Sequence, residues 1–317
     1  MAREKKELIS IIVPCYNEQE SLPIFYKEID KISKEMKNVD FEFMFINDGS
    51  KDKTLEILRD LSKKDKRVRY ISFSRNFGKE AGMYAGIENV TGDYAAIMDA
   101  DMQDPPSMIK TMYKDIKEEG YDCVALYTKS HKGYNFIRKG LTNMWYKFID
   151  KISTSHQVPG ARDFRLMTRQ MVDAILAMPE YNRYTKGIFG FVGFNTKWID
   201  YDAPDRVAGT SKFNLRKLIK YAMEGIVAFS TSPLMMAAYL GIIFCLVAFI
   251  GIIIVLVKTL IWGDPVGGWP SLACLIMFIG GIQLFSLGII GIYISKIYLE
   301  VKNRPIYITK ETEKTGE

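Results

Sequence analysis

The sequence predicts an α/β protein with a mostly parallel sheet, followed by two helices long enough to cross a membrane. Three observations carry that prediction. Short apolar runs alternate with amphipathic stretches through residues 8–127. Polar and acidic residues gather just after those runs. Two stretches near the C-terminus, 225–257 and 265–295, contain no charged residue. Strands that alternate this regularly with helices imply βαβ units and a sheet covered on both faces.

The elements follow in order. "LISIIV" (8–13) predicts a strand, and a helix follows from about Glu20 to Met36. "FEFMFI" (41–46) predicts the second strand, then a helix from Lys53 to about Lys64. "VRYISF" (68–73) is the third, with a helix from Lys79 to Asn89, and "YAAIM" (94–98) is the fourth. A helix runs from beyond Pro106 to about Glu119, before the strand "DCVALY" (122–127). In such sheets ligands bind beyond the C-terminal strand ends. Those ends carry Asn17 and Glu18, then Asp48 and Gly49, then Arg75, Asn76 and Lys79, then "DADMQDPP" (99–106).

Further along, 134–152 reads as a helix whose Tyr134, Ile137, Leu141, Trp145 and Phe148 share one face. Lys139, Asn143, Lys147 and Lys151 lie away from it. A basic helix with an aromatic-rich apolar face suits a membrane interface, and a surface helix packed on the core is the alternative. Residues 213–232 read similarly, with Arg216, Lys217 and Lys220. Two spans are then expected, at about 234–258 and 270–296, each exceeding the roughly 20 residues needed to cross a bilayer core.

The short turn between the spans carries one Lys and one Asp, while Arg216, Lys217, Lys220, Lys296, Lys302 and Arg304 flank the other ends. That asymmetry predicts a cytoplasmic domain over 1–212, both termini cytoplasmic, and a tail over 298–317 whose last residues, "KETEKTGE", look disordered. "MAREKKELIS" lacks the features of a signal peptide.

The chain has 317 residues, 48% of them hydrophobic, and a net charge of +6, which suits an anionic leaflet as well as ordinary solubility. Four cysteines without ligand spacing and two histidines argue against a zinc centre. Neither G-x-G-x-x-G after the first strand nor G-x-x-x-x-G-K-[ST] is present, which excludes the usual dinucleotide and P-loop sites. Asp99, Asp101 and Asp104 repel one another unless something positive joins them. A hard divalent cation carrying a diphosphate is the expected object, with structural calcium as the alternative. Asp48 fits either a base or ribose contact, or an Asx turn in "NDGS".

"IIVPCYNEQESL", "FINDGSKDKT", "RNFGKEAGMYAGI", "DADMQDPP" and "ARDFRLMTR", in this order, resemble the family-2 inverting glycosyltransferases of GT-A fold. "DRVAGTSKFNLRKLIKYAMEGIVAFSTSPL" and the two-span hairpin narrow the resemblance to the polyprenyl-phosphate group, over nearly the whole chain. The resemblance implies a hexose moved from a nucleotide sugar, UDP-glucose or a relative, to undecaprenyl or another polyprenyl phosphate at a bacterial inner membrane. It implies Mg²⁺ or Mn²⁺ as cofactor and no nucleic-acid partner; the sugar and self-association stay open.

By position, Pro14, Tyr16, Glu18 and Asp48 match the nucleoside site, with Lys79 among the nucleotide-binding residues. Asp99, Asp101 and Gln103 match the metal and diphosphate site. Asp163 matches a proposed catalytic base, and Asp101 is counted as catalytic beside its place at the metal. Arg206, Ser211 and Lys212 match a phosphate-gripping loop, and Arg138 with Thr142 the acceptor phosphate. The group often has Gly where Arg162 stands.

A phosphomonoester has a second pKa near ~6 and is already nucleophilic, so Asp163 serves as base or as a carboxylate that orients Arg138 or Arg162. A processive or glycolipid-hydroxyl transferase is an alternative, though the Q-x-x-R-W signature of the processive synthases is missing. A catalytically silent membrane scaffold is the other.

Overall fold

The computed structural model describes residues 6–128, 158, 160–201, 230–262 and 268–315. The helix expected over 134–152, most of that over 213–232, and Arg138, Thr142, Arg206, Ser211 and Lys212, the residues expected at the acceptor phosphate, lie outside the described residues.

β-branched and aromatic residues dominate the strands β1 (Glu7–Cys15), β2 (Val39–Asn47) and β3 (Val68–Phe73). β4 (Tyr94–Ile97), β5 (Cys123–Tyr127), β6 (Ala161–Thr168), β7 (Thr196–Asp200) and β8 (Thr309–Thr312) complete one sheet. Its order is β7-β5-β6-β4-β1-β2-β3-β8. β1, β2, β3 and β4 run parallel, as do β5 and β7. β6 runs antiparallel between β4 and β5, and β8 runs antiparallel on the edge of β3.

Successive residues of a strand face opposite sides, so β1 feeds two cores. Ile9, Ile11 and Val13 pack with α1 (Leu22–Glu35), α2 (Thr54–Lys64) and α4 (Met108–Glu119). Ile12 packs on the other face with α3 (Lys79–Asn89), α5 (Arg169–Leu176) and α6 (Thr185–Phe191). α1 shows the helical logic: Phe25, Ile29 and Ile32 recur at spacings of four and three and are buried, and a proline opens the first turn. Gly86 lets α3 lie against β1, since a Cβ there would sit 2.1 Å from Ile12 Cγ2.

α7 (Ser232–Trp262) and α8 (Trp269–Val301) bracket the two expected spans, and both are long and apolar enough to cross a membrane. Their apolar side chains face outward: Leu284 is 72% exposed and Leu287 62%. The helices touch at Phe244 and Phe278, whose rings meet edge to face at 5.4 Å, and Tyr293 Oη donates to the Ser230 carbonyl at 2.6 Å.

The tail corrects an expectation. Residues 310–315 are not a disordered end, because β8 joins the sheet at Ile71, Ser72 and Phe73. Tyr307 stacks on Phe73 at 4.9 Å, Arg59 forks onto Glu311 at 2.6 and 2.7 Å, and Arg69 reaches Glu313 at 3.1 Å. The segment is polar because edge strands face water, and composition alone mimics disorder there.

Candidate active site

The loops after β1 and β2 are knitted together by polar side chains. Asn17 Oδ1 accepts from Lys51 N at 2.8 Å, and the Ser50 and Thr54 hydroxyls accept from Asn17 N and Glu18 N at 3.0 and 2.9 Å. The Glu18 carboxylate takes the Ser21 hydroxyl at 2.5 Å. Pro14 and Tyr16 lie half-buried on the same edge.

The Asx turn that Asp48 could have made in "NDGS" is not formed; the local side-chain bond there comes from Asn47, whose Oδ1 accepts from Ser50 N at 3.2 Å. Asp48 instead braces the loop after β3: its two oxygens accept from Phe77 N at 2.6 Å and Gly78 N at 3.0 Å. Burial pushes the Asp48 carboxyl up, and those two N–H groups pull it back part of the way. Gly49 has φ +62°, and a Cβ there would lie 2.5 Å from the Arg75 carbonyl carbon, so the turn needs glycine.

The acidic cluster has protein cations of its own. β4 and β6 pair with Ile97 opposite Arg165, and continuing that antiparallel register by two residues brings Asp163 across from Asp99. Lys79, in the first turn of α3, inserts its ammonium between them: Nζ lies 2.7 Å from Asp99 Oδ1 and 2.5 Å from Asp163 Oδ2. A second ammonium, from Lys186, stands 3.8 Å from Asp163 Oδ1 and donates to the Ala161 carbonyl at 3.1 Å.

Burial alone would raise the Asp163 carboxyl, but Lys79 and Lys186 outweigh it and hold the group well below the usual carboxylate range. Desolvation likewise opposes the charge on Lys79, and the two carboxylates hold it above its ordinary value. Arg165 lies buried beneath, 3.5 Å over the Phe189 ring.

Arg162, at the position where the resembled group often has glycine, turns away from Asp163. Its Nε donates to the buried Asp104 at 2.9 Å, and the Tyr201 hydroxyl donates to the same carboxylate oxygen. The Gln103 amide oxygen meets Arg162 Nη2 at 3.4 Å, and Asp101 Oδ1 accepts from Gln103 N at 3.1 Å. Of the two ion-pair partners expected for Asp163, Arg162 is therefore engaged elsewhere. Lys186, Tyr201 and the pairing of Glu80 with Thr185 N at 2.8 Å were not foreseen, since nothing in local spacing links residues so distant in sequence.

Among the described residues no three His, Cys, Asp or Glu side chains converge as a metal cage. The donors at the β4 end are hard oxygens from Asp99 and Asp101. They fit an ion of the Mg²⁺ or Mn²⁺ kind, which binds through one or two carboxylates and completes its shell with water and substrate phosphates. Calcium, with more protein oxygens, fits less well.

The sequence and the fold are similar to those of known proteins. Residues 10–176 match the family model described as glycosyl transferase family 2. CsbB of Bacillus subtilis (strain 168), named as a glycosyltransferase, is 45% identical over 309 residues, covering 97% of this chain and 92% of that protein. The SfII prophage-derived bactoprenol glucosyl transferase of Shigella flexneri is 40% identical over 306 residues, covering 96% and 98%. Among solved structures, glucosyl-3-phosphoglycerate synthase from Mycobacterium tuberculosis in complex with phosphoglyceric acid aligns with TM-score 0.50 at 17% identity, over 70% of this chain and 78% of that one. That last likeness bears on the fold and agrees with the expected GT-A architecture. The chain belongs to glycosyl transferase family 2 and is a glycosyltransferase.

Proposed function

We propose that this chain is a membrane-anchored inverting glycosyltransferase that moves a hexose from a nucleotide sugar, UDP-glucose or a relative, to polyprenyl phosphate. One observation carries the reading. The chain that leaves the second apolar helix meets the catalytic domain at the edge that holds the acidic cluster. The chain leaving α8 returns at Ile308, whose carbonyl accepts from Ser74 N just past the C-terminal end of β3. Asp99 lies past the same end of β4. A site at that edge faces the surface from which a membrane-bound phosphate would be presented. The name of the Shigella relative supports a bactoprenol acceptor.

In this reading residues 1–212 are cytoplasmic, 213–232 lie along the membrane, the two spans fall within α7 and α8, and the polypeptide from 298 returns to the sheet. Pro14, Tyr16, Glu18 and Asp48 shape the nucleoside end, with Asp48 acting through the backbone it braces. Asp99 and Asp101, with Gln103 beside them, would hold Mg²⁺ or Mn²⁺. When bound, that ion supplies charge stabilisation to the departing nucleoside diphosphate.

Lys79 neutralises Asp99 and Asp163 and keeps their geometry. An acceptor phosphate is largely ionised at neutral pH, so it attacks the anomeric carbon without a strong base. Asp163, charged and held between two ammonium groups, orients the phosphate-binding side of the site. Arg138, Thr142, Arg206, Ser211 and Lys212 bind the acceptor phosphate.

Purified full-length protein with a panel of labelled nucleotide sugars, undecaprenyl phosphate and Mg²⁺ or Mn²⁺ tests this. A lipid-soluble, acid-labile product is expected. It should fall at least a hundredfold in Asp101→Asn. Folded protein that yields no lipid product with any donor refutes the proposal.

A further inference from the structure

On the reading just given, of a phosphate acceptor held in a membrane, we propose that Glu300 is a positioning residue that registers the second membrane helix with the catalytic carboxylates.

Glu300 is the only acidic residue in the 33 residues of α8. It lies beyond the charge-free stretch, where the helix leaves its apolar surroundings. Both of its oxygens are engaged by consecutive backbone groups of the catalytic domain: Oε2 accepts from Tyr181 N at 3.1 Å and Oε1 from Asn182 N at 2.9 Å. Lys296, one turn earlier, donates to Asn182 Oδ1 at 2.6 Å. One carboxylate and one ammonium of the membrane helix thus grip a single point of the domain through charge-assisted bonds.

That point leads directly into the active site. Three residues after Asn182, Thr185 N and its hydroxyl both donate to Glu80. Lys186 follows and faces Asp163. Glu80 adjoins Lys79, which bridges Asp99 and Asp163. Arg183 lies 4.5 Å over the Tyr84 ring, so the same six residues also brace the middle of α3. The segment 181–186 therefore joins the end of α8 to Lys186 and, through Glu80, to the neighbour of Lys79, the two ammonium groups that face Asp163.

A soluble active site needs no such strut. An enzyme whose acceptor is fixed at the height of a leaflet does, because a domain that tilts spends less time with its site over the phosphate. The effective concentration of the acceptor then falls, although the site itself is intact. The prediction is a loss confined to the membrane-held acceptor.

The test uses full-length protein in phosphatidylethanolamine–phosphatidylglycerol vesicles, with the best donor of the panel. Undecaprenyl phosphate in the bilayer is compared with farnesyl phosphate in solution. Glu300→Ala is expected to lower kcat/KM for undecaprenyl phosphate at least tenfold, to leave that for farnesyl phosphate within twofold, and to leave UDP affinity unchanged. Glu300→Gln, which retains one acceptor oxygen, falls between. Equal losses with both acceptors, or no loss with either, overturn the inference. If Glu300→Ala does not accumulate folded, Lys296→Met is read the same way, with a threefold or greater change in the ratio expected and an unchanged ratio overturning it. Wild-type protein that uses neither phosphate sinks the acceptor reading itself. Wild-type protein that uses both, with a ratio indifferent to these variants, sinks only the role of Glu300.

Discussion

Replacing Glu311 by alanine should release the C-terminal strand and leave the rest of the sheet in place. The carboxylate takes two bonds from Arg59, at 2.7 and 2.6 Å, and one from the Tyr70 hydroxyl at 2.7 Å. Tyr70 is buried, so removing its acceptor leaves a polar group unsatisfied, at about 1–3 kcal/mol. The Arg59 side chain is 40% exposed, and screening limits its fork to about 1 kcal/mol. The total, about 2–4 kcal/mol, falls on a four-residue edge strand whose other side-chain anchors are the Arg69–Glu313 pair and the Tyr307–Phe73 stack that flank it.

Amide exchange of β8 and of the facing residues of β3 should then quicken by roughly 30- to 900-fold, at 1.36 kcal/mol per decade. β1 and β2 should not change. Arg59→Ala, which spares the tyrosine bond, should quicken exchange less than about tenfold. The bonds from Arg59 and Tyr70 bring the Glu311 carboxyl down to about 2, against an ordinary value of 4.5. A depressed folded-state value means that the stabilisation is complete above the ordinary carboxylate range and lost as pH falls toward 2. Unchanged β8 exchange in Glu311→Ala, or equal acceleration of every strand, would refute this account.

Three other outcomes are expected. Gly49→Ala forces a side chain into a left-handed turn and against the Arg75 backbone. It should loosen the brace that Asp48 makes to Phe77 and Gly78 and, on the proposed nucleotide-sugar reading, weaken binding of the donor nucleotide by calorimetry about tenfold. Gly86→Ala meets Ile12 Cγ2 and should cost about 1–3 kcal/mol, seen as a lower Tm, with Ile12→Val recovering part of it. Lys79→Met removes the nearer ammonium from Asp163 and leaves Lys186 at 3.8 Å as the remaining ion-pair contact among the described residues. It should cost about 2–3 kcal/mol of stability at pH 7.5, below the 3–5 of a fully buried pair because the lysine is partly exposed, and urea unfolding would measure it.

Local pattern carried a great deal of this protein. Strand-helix alternation, the polar residues after each strand and the two uncharged stretches are written in periodicities of two and 3.6 and in run lengths. These act within a few residues of one another, so they survive in a bare sequence. The order of motifs was enough to suggest the family, and the matches to known relatives bear it out.

What only the tertiary structure decided depends on residues that meet from far apart. Lys79 beside Asp99 and Arg162 beside Asp104 are protein cations at "DADMQDPP" that no local spacing foretold. Asp163 comes to face Asp99 because β6 runs against β4, and strand direction leaves no mark on composition. Asp48, compatible with either a turn or a ligand contact by its neighbours, proved to brace backbone thirty residues away at Gly78. The polar tail became a strand because β3 offered it an unpaired edge. In each case the deciding partner lies across the fold, where the free energy of a contact depends on geometry that short-range sequence spacing does not encode.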